Sequence, residues 1–502
     1  MIQALIRTYF TARQSAIGRF MDDPLSAQNN ILTQHIIESR ETEIGEKYRF
    51  SDIEQIADFS QAIPLQDYET LKPSIQKMLD GAENVLWPYK VHWFAKSSGT
   101  TNDVSKYIPV SYEAMKTCHY RGARDVFALY FKQFPESEIF KGRGIIMGGS
   151  HQVNSYNNEM RFGDLSAVLI ENMPSIGKFF SALSSDTALI GDWEIKMEAI
   201  IKETLDQDIS NISGVPTWTL VLFKKLLERT GRKYIDDLWP NFELYIHGGV
   251  SFVPYHSQFK KLCSPKVNFW ETYNASEGFF AIQDDATRDD LLLMLDYGIY
   301  YEFIPSTEWD NKEPKAIPLI EVNLQERYAV VITTNSGLWR YQLGDVVRFT
   351  SIMPYRIKIT GRTKHFINVF GEELMVDNTD KALNILSEKY NLEVVDYTAA
   401  PIYMEAGSKG GHEWIIEFAM PPNNTQEFAQ ELDGLLQSIN SDYAAKRHKD
   451  IALQSLIVHI APPGSFHQWM KSRGKLGGQN KVPRLSNDRK HLDALLAIIQ
   501  SQ

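Results

Sequence analysis

The sequence predicts a multi-domain α/β protein: a large N-terminal body combining an α/β region with a β-barrel or meander, then a small α+β domain. Three observations carry this expectation. Between residues 91 and 250, helical tracts alternate with short apolar runs that end in glycine pairs, the pattern of α/β layers with ligands at strand ends. From 291 to 350, strand-like runs follow one another with no helical period between them. From Pro354 to Gly361, a proline, a basic strand and a Gly-Arg pair form a hinge signal, and beyond it helices and strands mix. The expected division is residues 1–355 and residues 356–502.

Taken in order, residues 1–85 read as mostly helical, with Gly45 a break after the acidic stretch that starts at Glu41. Helical tracts are expected over Ser111–Phe134, Asp192–Leu205 and Trp218–Thr230. Gly144–Gly149 and Leu244–Gly249 read as strands running into glycine turns. The strand series comprises Tyr300–Ile304, Ile317–Asn323, Tyr328–Thr334 and Asp345–Phe349. In the small domain a helix from Asp377, a strand around Val394, a strand Glu413–Met420, a helix Thr425–Asn440, a strand Leu453–Ala461 and a final helix from Asp488 are expected.

Composition bounds the function. The chain has 502 residues, 43% hydrophobic and 23% charged, as in an ordinary globular protein. Its 52 Lys+Arg against 63 Asp+Glu give a net charge of −11, which argues against a general nucleic-acid or acidic-membrane partner. Cys118 and Cys263 are too few for a disulfide framework and fit a reducing cytoplasm. The N-terminus shows no signal-peptide pattern, and every apolar run is broken by charge or glycine before it reaches membrane-spanning length. A soluble cytoplasmic protein is expected.

The richest local chemistry lies at Ser97-Ser98-Gly99-Thr100-Thr101, followed by Asn102, Asp103 and then Lys106-Tyr107-Ile108-Pro109. Small residues let backbone N–H groups approach an anion, hydroxyls donate, and a lysine adds charge, so such a loop can wrap a polyphosphate. The Walker spacing is absent, and an ordinary polar turn is the other reading. Further along stand Tyr273-Asn274-Ala275-Ser276-Glu277-Gly278, Tyr341-Gln342-Leu343-Gly344-Asp345-Val346, Gly361-Arg362 and Asn480-Lys481-Val482-Pro483-Arg484.

In this order the motifs resemble the adenylate-forming superfamily, and within it the acyl acid–amido synthetases first known from auxin and jasmonate conjugation in plants, the GH-three family. The resemblance spans roughly residues 90 to 490. It implies a firefly-luciferase-like fold with a large ATP- and acyl-acid-binding domain and a small mobile C-terminal lid. It also implies a ligase that adenylates a carboxylic acid with ATP and Mg²⁺, then passes the acyl group to an amino acid. The implied partners are a small carboxylic acid and an amino acid or CoA, with no nucleic acid and no membrane; the oligomeric state is not implied.

Residue by residue, the resemblance makes Ser97, Ser98, Gly99, Thr100, Thr101 and Lys106 the cover of the β- and γ-phosphates. Asp103 stands where the family pattern has glycine, so it must point outward or help handle the metal. Glu277 would be the Mg²⁺ carboxylate; the plain alternative is a helix N-terminus capped by Ser276. Tyr273 would lie against the adenine face, and Asn274, Ala275 and Ser276 after it would be nucleotide-binding. Gly248 and Gly249 would admit the base closely, or simply form a tight turn. Asp345 would accept both ribose hydroxyls, with an ordinary Gly-Asp turn after a strand as its alternative, and Arg362 would contact ribose or phosphate or else form a structural salt bridge. Lys481 would neutralise carboxylate and α-phosphate during adenylation, with Gly477-Gly478 giving mobility and Pro483-Arg484 fixing the loop's exit; a solvated basic face is its alternative.

Other templates fail. Gly148-Gly149-Ser150-His151-Gln152 lacks the second glycine of a nucleophile elbow, and Gly142-Arg143-Gly144 lacks the third glycine of a dinucleotide fingerprint. The twelve histidines show no zinc-ligand spacing. An acyl-CoA ligase on the same scaffold and a non-catalytic homologue remain the alternative functions. Phe162–Leu165 and Met173–Phe180 are apolar enough to line an acid pocket, though core packing explains them as well.

Overall fold

Strands that alternate with capped helices organise the chain. In sequence order they are β1 (Trp93–Ser97), β2 (Lys106–Val110), β3 (Arg143–Ile146), β4 (Asn154–Ser155), β5 (Arg161–Gly163), β6 (Ile209–Gly214), β7 (Leu244–Gly248), β8 (Asn268–Ala275), β9 (Gly278–Ile282), β10 (Leu291–Leu293), β11 (Ile299–Pro305), β12 (Ile317–Pro318), β13 (Arg327–Thr334), β14 (Tyr341–Ile352), β15 (Tyr355–Arg362), β16 (Phe366–Ile367), β17 (Leu374–Met375), β18 (Glu393–Ile402), β19 (Gly411–Met420) and β20 (Ile457–Ala461). The computed structural model describes residues 2–97, 106–148, 153–249, 252–309, 311–362, 366–367, 372, 374–403, 410–440, 443–444, 447, 453–474 and 481–500. Two units result: residues 1–250 with 261–358, and residues 251–260 with 359–502.

The first unit is built on a sheet of order β12-β11-β13-β14-β15-β10-β9-β8-β7-β6-β3. Strands β3, β6, β7 and β8 are parallel neighbours. β6 buries Ile209 through Ile212 and β7 buries Leu244 through His247, the continuous burial of strands covered on both faces. The crossover helices are Trp193–Thr204, capped by the Asp192 carboxylate, and Pro216–Thr230, which starts on a proline. Beyond β8 the ladder turns antiparallel, and the expected strand series continues this same sheet. A smaller sheet, β2-β1-β5-β4, stands beside it.

Six helices, from Ile2–Thr11 to Tyr68–Leu79, form the N-terminal part of this unit among the described residues. Buried polar contacts fasten them to the sheet. The Gln28 amide donates to Leu295 O and Ile299 O at 3.1 and 2.9 Å and accepts from the Tyr301 N–H at 2.9 Å. Arg340 donates to both Glu302 oxygens at 2.8 and 2.9 Å, and to the carbonyls of Ser60 and Ile63 at 2.8 and 2.6 Å. His35 donates from Nε2 to Gly298 O at 3.0 Å, edge-on to Trp87.

The second unit is a β18-β19-β20 sheet with the helices Val376–Tyr390, Thr425–Ile439, Ser465–Ser472 and Lys490–Gln500. Its core gathers Trp414, Tyr397, Leu383 and Leu432. Among the described residues, no helix is long and apolar enough to cross a membrane.

The mixed α/β class expected from the sequence is the observed one. Two local expectations change, and one helix joins those expected from the sequence. Ile317–Asn323 is not one strand: β12 stops at Pro318, which cannot donate to a ladder, and Leu319–Glu321 is a 3₁₀ turn at the sheet edge. The strand expected from Leu453 starts at Ile457, Leu453 itself making an isolated bridge to Gly410. The helix Ser465–Ser472 is capped from a distance, because the Glu417 carboxylate accepts from the Gly464 and Phe466 N–H groups at 2.7 and 2.9 Å.

Two stability predictions follow from the buried anchors. Arg340→Met strands the buried Glu302 carboxylate and should cost about 3–5 kcal/mol in urea unfolding; adding Glu302→Leu should recover most of that loss. Burial holds the His35 imidazole down from 6.5 to about 4. As pH falls through this window the unfolded chain takes up a proton that the folded chain refuses, so stability drops, by about 3 kcal/mol for this group. His35→Gln should flatten that part of the stability–pH curve relative to the parent.

Candidate active site

β1 and β2 are antiparallel, and their register sets Ser97 opposite Lys106 at the mouth of the polar loop. Ser98, Gly99, Thr100 and Thr101, with Asn102 and Asp103, lie outside the described residues. The base of the loop is fixed by a residue the sequence did not single out. Tyr68, first in a helix capped by Asp67, accepts the Tyr107 N–H on its hydroxyl at 2.8 Å, and its ring lies 5.5 Å beneath the Lys106 ammonium.

The parallel strands β6, β7 and β8 deliver their carboxyl ends to one edge, where ligands of open α/β sheets bind. Gly248 closes β7 under a tight constraint: a Cβ there would sit 2.5 Å from Thr272 O and 2.8 Å from Thr272 Oγ1. Gly249 follows with φ 80°, left-handed backbone that suits glycine. Gly248 is thus demanded first by the neighbouring strand, whose Thr272 hydroxyl donates to His247 O at 3.1 Å.

On β8, Tyr273 is buried against Phe280, with ring centroids 4.8 Å apart, and its hydroxyl donates to Asp345 Oδ2 on β14 at 2.6 Å. Strands β9, β10 and β15 separate these two in the sheet order. Four steps of a flat sheet would span about 19 Å, beyond the reach of the two side chains, so the sheet curls to bring them together. Asn274 and Ala275 end β8, and Ser276-Glu277 form the two-residue turn into β9. Glu277 therefore sits on a β-hairpin, not at the helix N-terminus considered as its plain alternative. The turn is braced by Cys118, in a π-helical stretch Met115–His119, whose Sγ accepts the Phe279 N–H at 3.1 Å; burial pushes this thiol up to about 12.

A half-buried carboxylate on a hairpin tip suits a hard cation that draws its remaining ligands from phosphate and water. Among the described residues no cluster of three or more His, Cys, Asp or Glu forms a protein cage. A lone hard-oxygen carboxylate such as Glu277 is chemically compatible with the Mg²⁺ expected from the sequence.

Arg362 and Lys481 belong to the second unit. Arg362 ends β15 after Gly361, half-buried. Lys481 is exposed, whereas Val482 and Pro483 are buried. The chain then joins β18: the Ala399 N–H donates to Arg484 O at 2.8 Å and the Ser486 N–H to Ala399 O at 3.1 Å, while the Thr398 hydroxyl donates to Pro483 O at 2.6 Å. Tyr273 and Asp345 are thus in direct contact, Gly248 and Asn274 share their edge, and Ser97 and Lys106 face each other.

Comparison with known proteins covers most of the chain. Family models match in succession the GH3 family N-terminal domain over residues 13–267, the GH3 family central domain over 292–362 and the GH3 family C-terminal domain over 376–490. The chain is similar to the jasmonoyl–L-amino acid synthetase JAR6 of Nicotiana attenuata, with 24% identity over 88% of this chain and 87% of the relative. It is also similar to the probable indole-3-acetic acid-amido synthetase GH3.1 of Arabidopsis thaliana, with 23% identity over 92% and 89%. Its fold is that of the acyl acid amido synthetase AtGH3.15 in complex with 2,4-DB, with TM-score 0.81 and 17% identity over 98% of this chain and 97% of that one. A 2-hydroxyisobutyryl-CoA ligase shares the fold at TM-score 0.60 and 12% identity, over 95% and 92%. With all three family domains matched in order, the chain belongs to the GH3 family.

Proposed function

We propose that the protein is an acyl acid–amido synthetase: it activates a carboxylic acid with ATP and joins the acyl group to an amino acid. The observation that carries this reading is the Asp345 carboxylate, held by the Tyr273 hydroxyl at 2.6 Å in a chain whose three domains match the GH3 family. In the first step a carboxylate oxygen attacks the α-phosphorus, the bond to the β-phosphate oxygen breaks, and pyrophosphate leaves. In the second the amine nitrogen attacks the acyl carbon, the bond to the AMP oxygen breaks, and the amine's proton is released.

The chain's own residues bind and orient. The loop from Ser97 to Lys106 donates to the β- and γ-phosphates, and Arg362 to ribose or phosphate. Asp345 accepts from the ribose hydroxyls. Tyr273, read from the sequence as an adenine platform, also fixes the orientation of that carboxylate. Gly248 and Gly249 leave room for the base. A magnesium ion held by Glu277 would supply charge neutralisation on the leaving pyrophosphate. Lys481 neutralises charge on the α-phosphate as the new bond forms. Two buried free thiols, Cys118 and Cys263, fit a cytoplasmic setting.

The test is pyrophosphate release with ATP and Mg²⁺ over benzoate, indole-3-acetate, jasmonate and short straight-chain acids. Each acid is supplied alone, with mixed amino acids, or with CoA. Turnover that requires an amino acid is expected; turnover that requires CoA instead would make the protein a ligase of that kind. Lys481→Ala should lower adenylation by about 10²-fold or more. Asp345→Asn should raise KM for ATP about 10- to 100-fold and Tyr273→Phe about 3- to 10-fold, with kcat changing less than KM in both. A larger effect at Tyr273 than at Asp345 would reverse the assignment of the direct contact.

A further inference from the structure

Lys481 has a long side chain on a chain segment that must nonetheless deliver charge to one place. What holds that segment is concentrated three residues on. The Arg484 guanidinium donates to the Tyr255 hydroxyl at 2.8 Å and to Asp380 Oδ1 at 3.3 Å, and pairs with Asp396 Oδ1 at 3.7 Å. It lies 4.4 Å over the Tyr397 ring. These partners are themselves fixed: the Tyr397 hydroxyl donates to Asp380 Oδ1 at 2.7 Å, and Gln258, on the same segment as Tyr255, donates to Val394 O at 3.2 Å. Tyr255 and Tyr397 are 2% and 0% exposed, so the guanidinium is gripped in a largely dry pocket.

A planar fork with donors in fixed directions, stacked on one ring and bonded to a hydroxyl and a carboxylate, has almost no rotational freedom left. Together with the backbone bonds of Pro483 and Arg484 to β18, it immobilises the chain from Val482 onward, immediately beside the exposed Lys481. A misplacement of about 1 Å at a reacting group costs about 10²-fold in rate. We propose that Arg484, clamped by Tyr255, Asp380, Asp396 and Tyr397, is the positioning residue for Lys481. This rests on the reading of Lys481 as the adenylation lysine. Tyr255 lies on the segment 251–260, which packs with the second unit, so one jaw of the clamp comes from a stretch far from Arg484 in sequence.

The test uses the full-length protein with Arg484→Met, Arg484→Lys and Tyr255→Phe beside Lys481→Ala. Hydrogen exchange read by mass spectrometry, without any substrate, should show faster exchange across 481–486 in Arg484→Met and Tyr255→Phe, with β18 and β19 as protected as in the parent. ATP–pyrophosphate exchange with the best acid of the panel should lose about 10- to 100-fold in kcat in Arg484→Met, with KM for ATP kept. Arg484→Lys should recover part of it, and aminolysis of separately prepared acyl-adenylate should keep its parental rate. Unchanged exchange across 481–486, or loosening that spreads to β18 and β19 with both half-reactions falling together, would overturn the positioning role and leave Arg484 a structural residue. Full adenylation in Lys481→Ala would instead remove the reading of Lys481 itself, and the clamp's purpose with it.

Discussion

A carboxylate taken out of water must be met by donors, and a phenol buried among aromatic rings must find an acceptor. Tyr273 and Asp345 answer both demands with one bond, whose 2.6 Å length falls in the range of charge-assisted O–H···O⁻ contacts. Because β8 and β14 stand far apart in the strand order, the bond is possible only if the sheet between them curves. The curvature turns a ladder that is parallel at one end and antiparallel at the other into a wall that brings Asp345 on β14 within reach of Tyr273 on β8. A flat sheet of the same strands would leave the carboxylate alone on one face.

The rest of the first unit supports that wall at its back. Gln28 and Arg340 are polar groups sunk into an apolar surround, each with its donors matched to carbonyls or to a carboxylate of the sheet. Such contacts are costly to misplace and so fix which helix lies on which strand. They explain how the N-terminal helices, whose sequences contribute none of the expected nucleotide ligands, hold the strands that do.

Much of this was legible in the sequence, because periodicity and glycine placement are local signals. The helices Trp193–Thr204 and Pro216–Thr230, the strand β7 and most of the elements after Val376 follow from patterns a few residues long, whereas the helix Ser465–Ser472 is not among the expected elements. What escaped is long-range. Tyr68 beneath Lys106, Glu417 capping the helix Ser465–Ser472 and Cys118 bracing the Glu277 turn join residues 38, 47 to 49 and 161 positions apart. No local pattern announces such a partner. The Ser276-Glu277 pair misleads in the opposite way, since a hydroxyl before an acid is equally at home capping a helix or turning a hairpin. Only the strand on the far side, starting at Gly278, decides between them.

The ten residues 251–260 break the colinearity of sequence and architecture: they lie between two stretches of the first unit yet pack with the second. The second unit is therefore not a module that can be cut at one point. A chimera joining residues 359–502 of this chain to the body of a relative would receive a foreign Tyr255 and Gln258, and with them a foreign fit to Arg484 and Val394. Exchange between members of such a family must carry both pieces at once, so these ten residues and the C-terminal unit are bound to evolve as a pair.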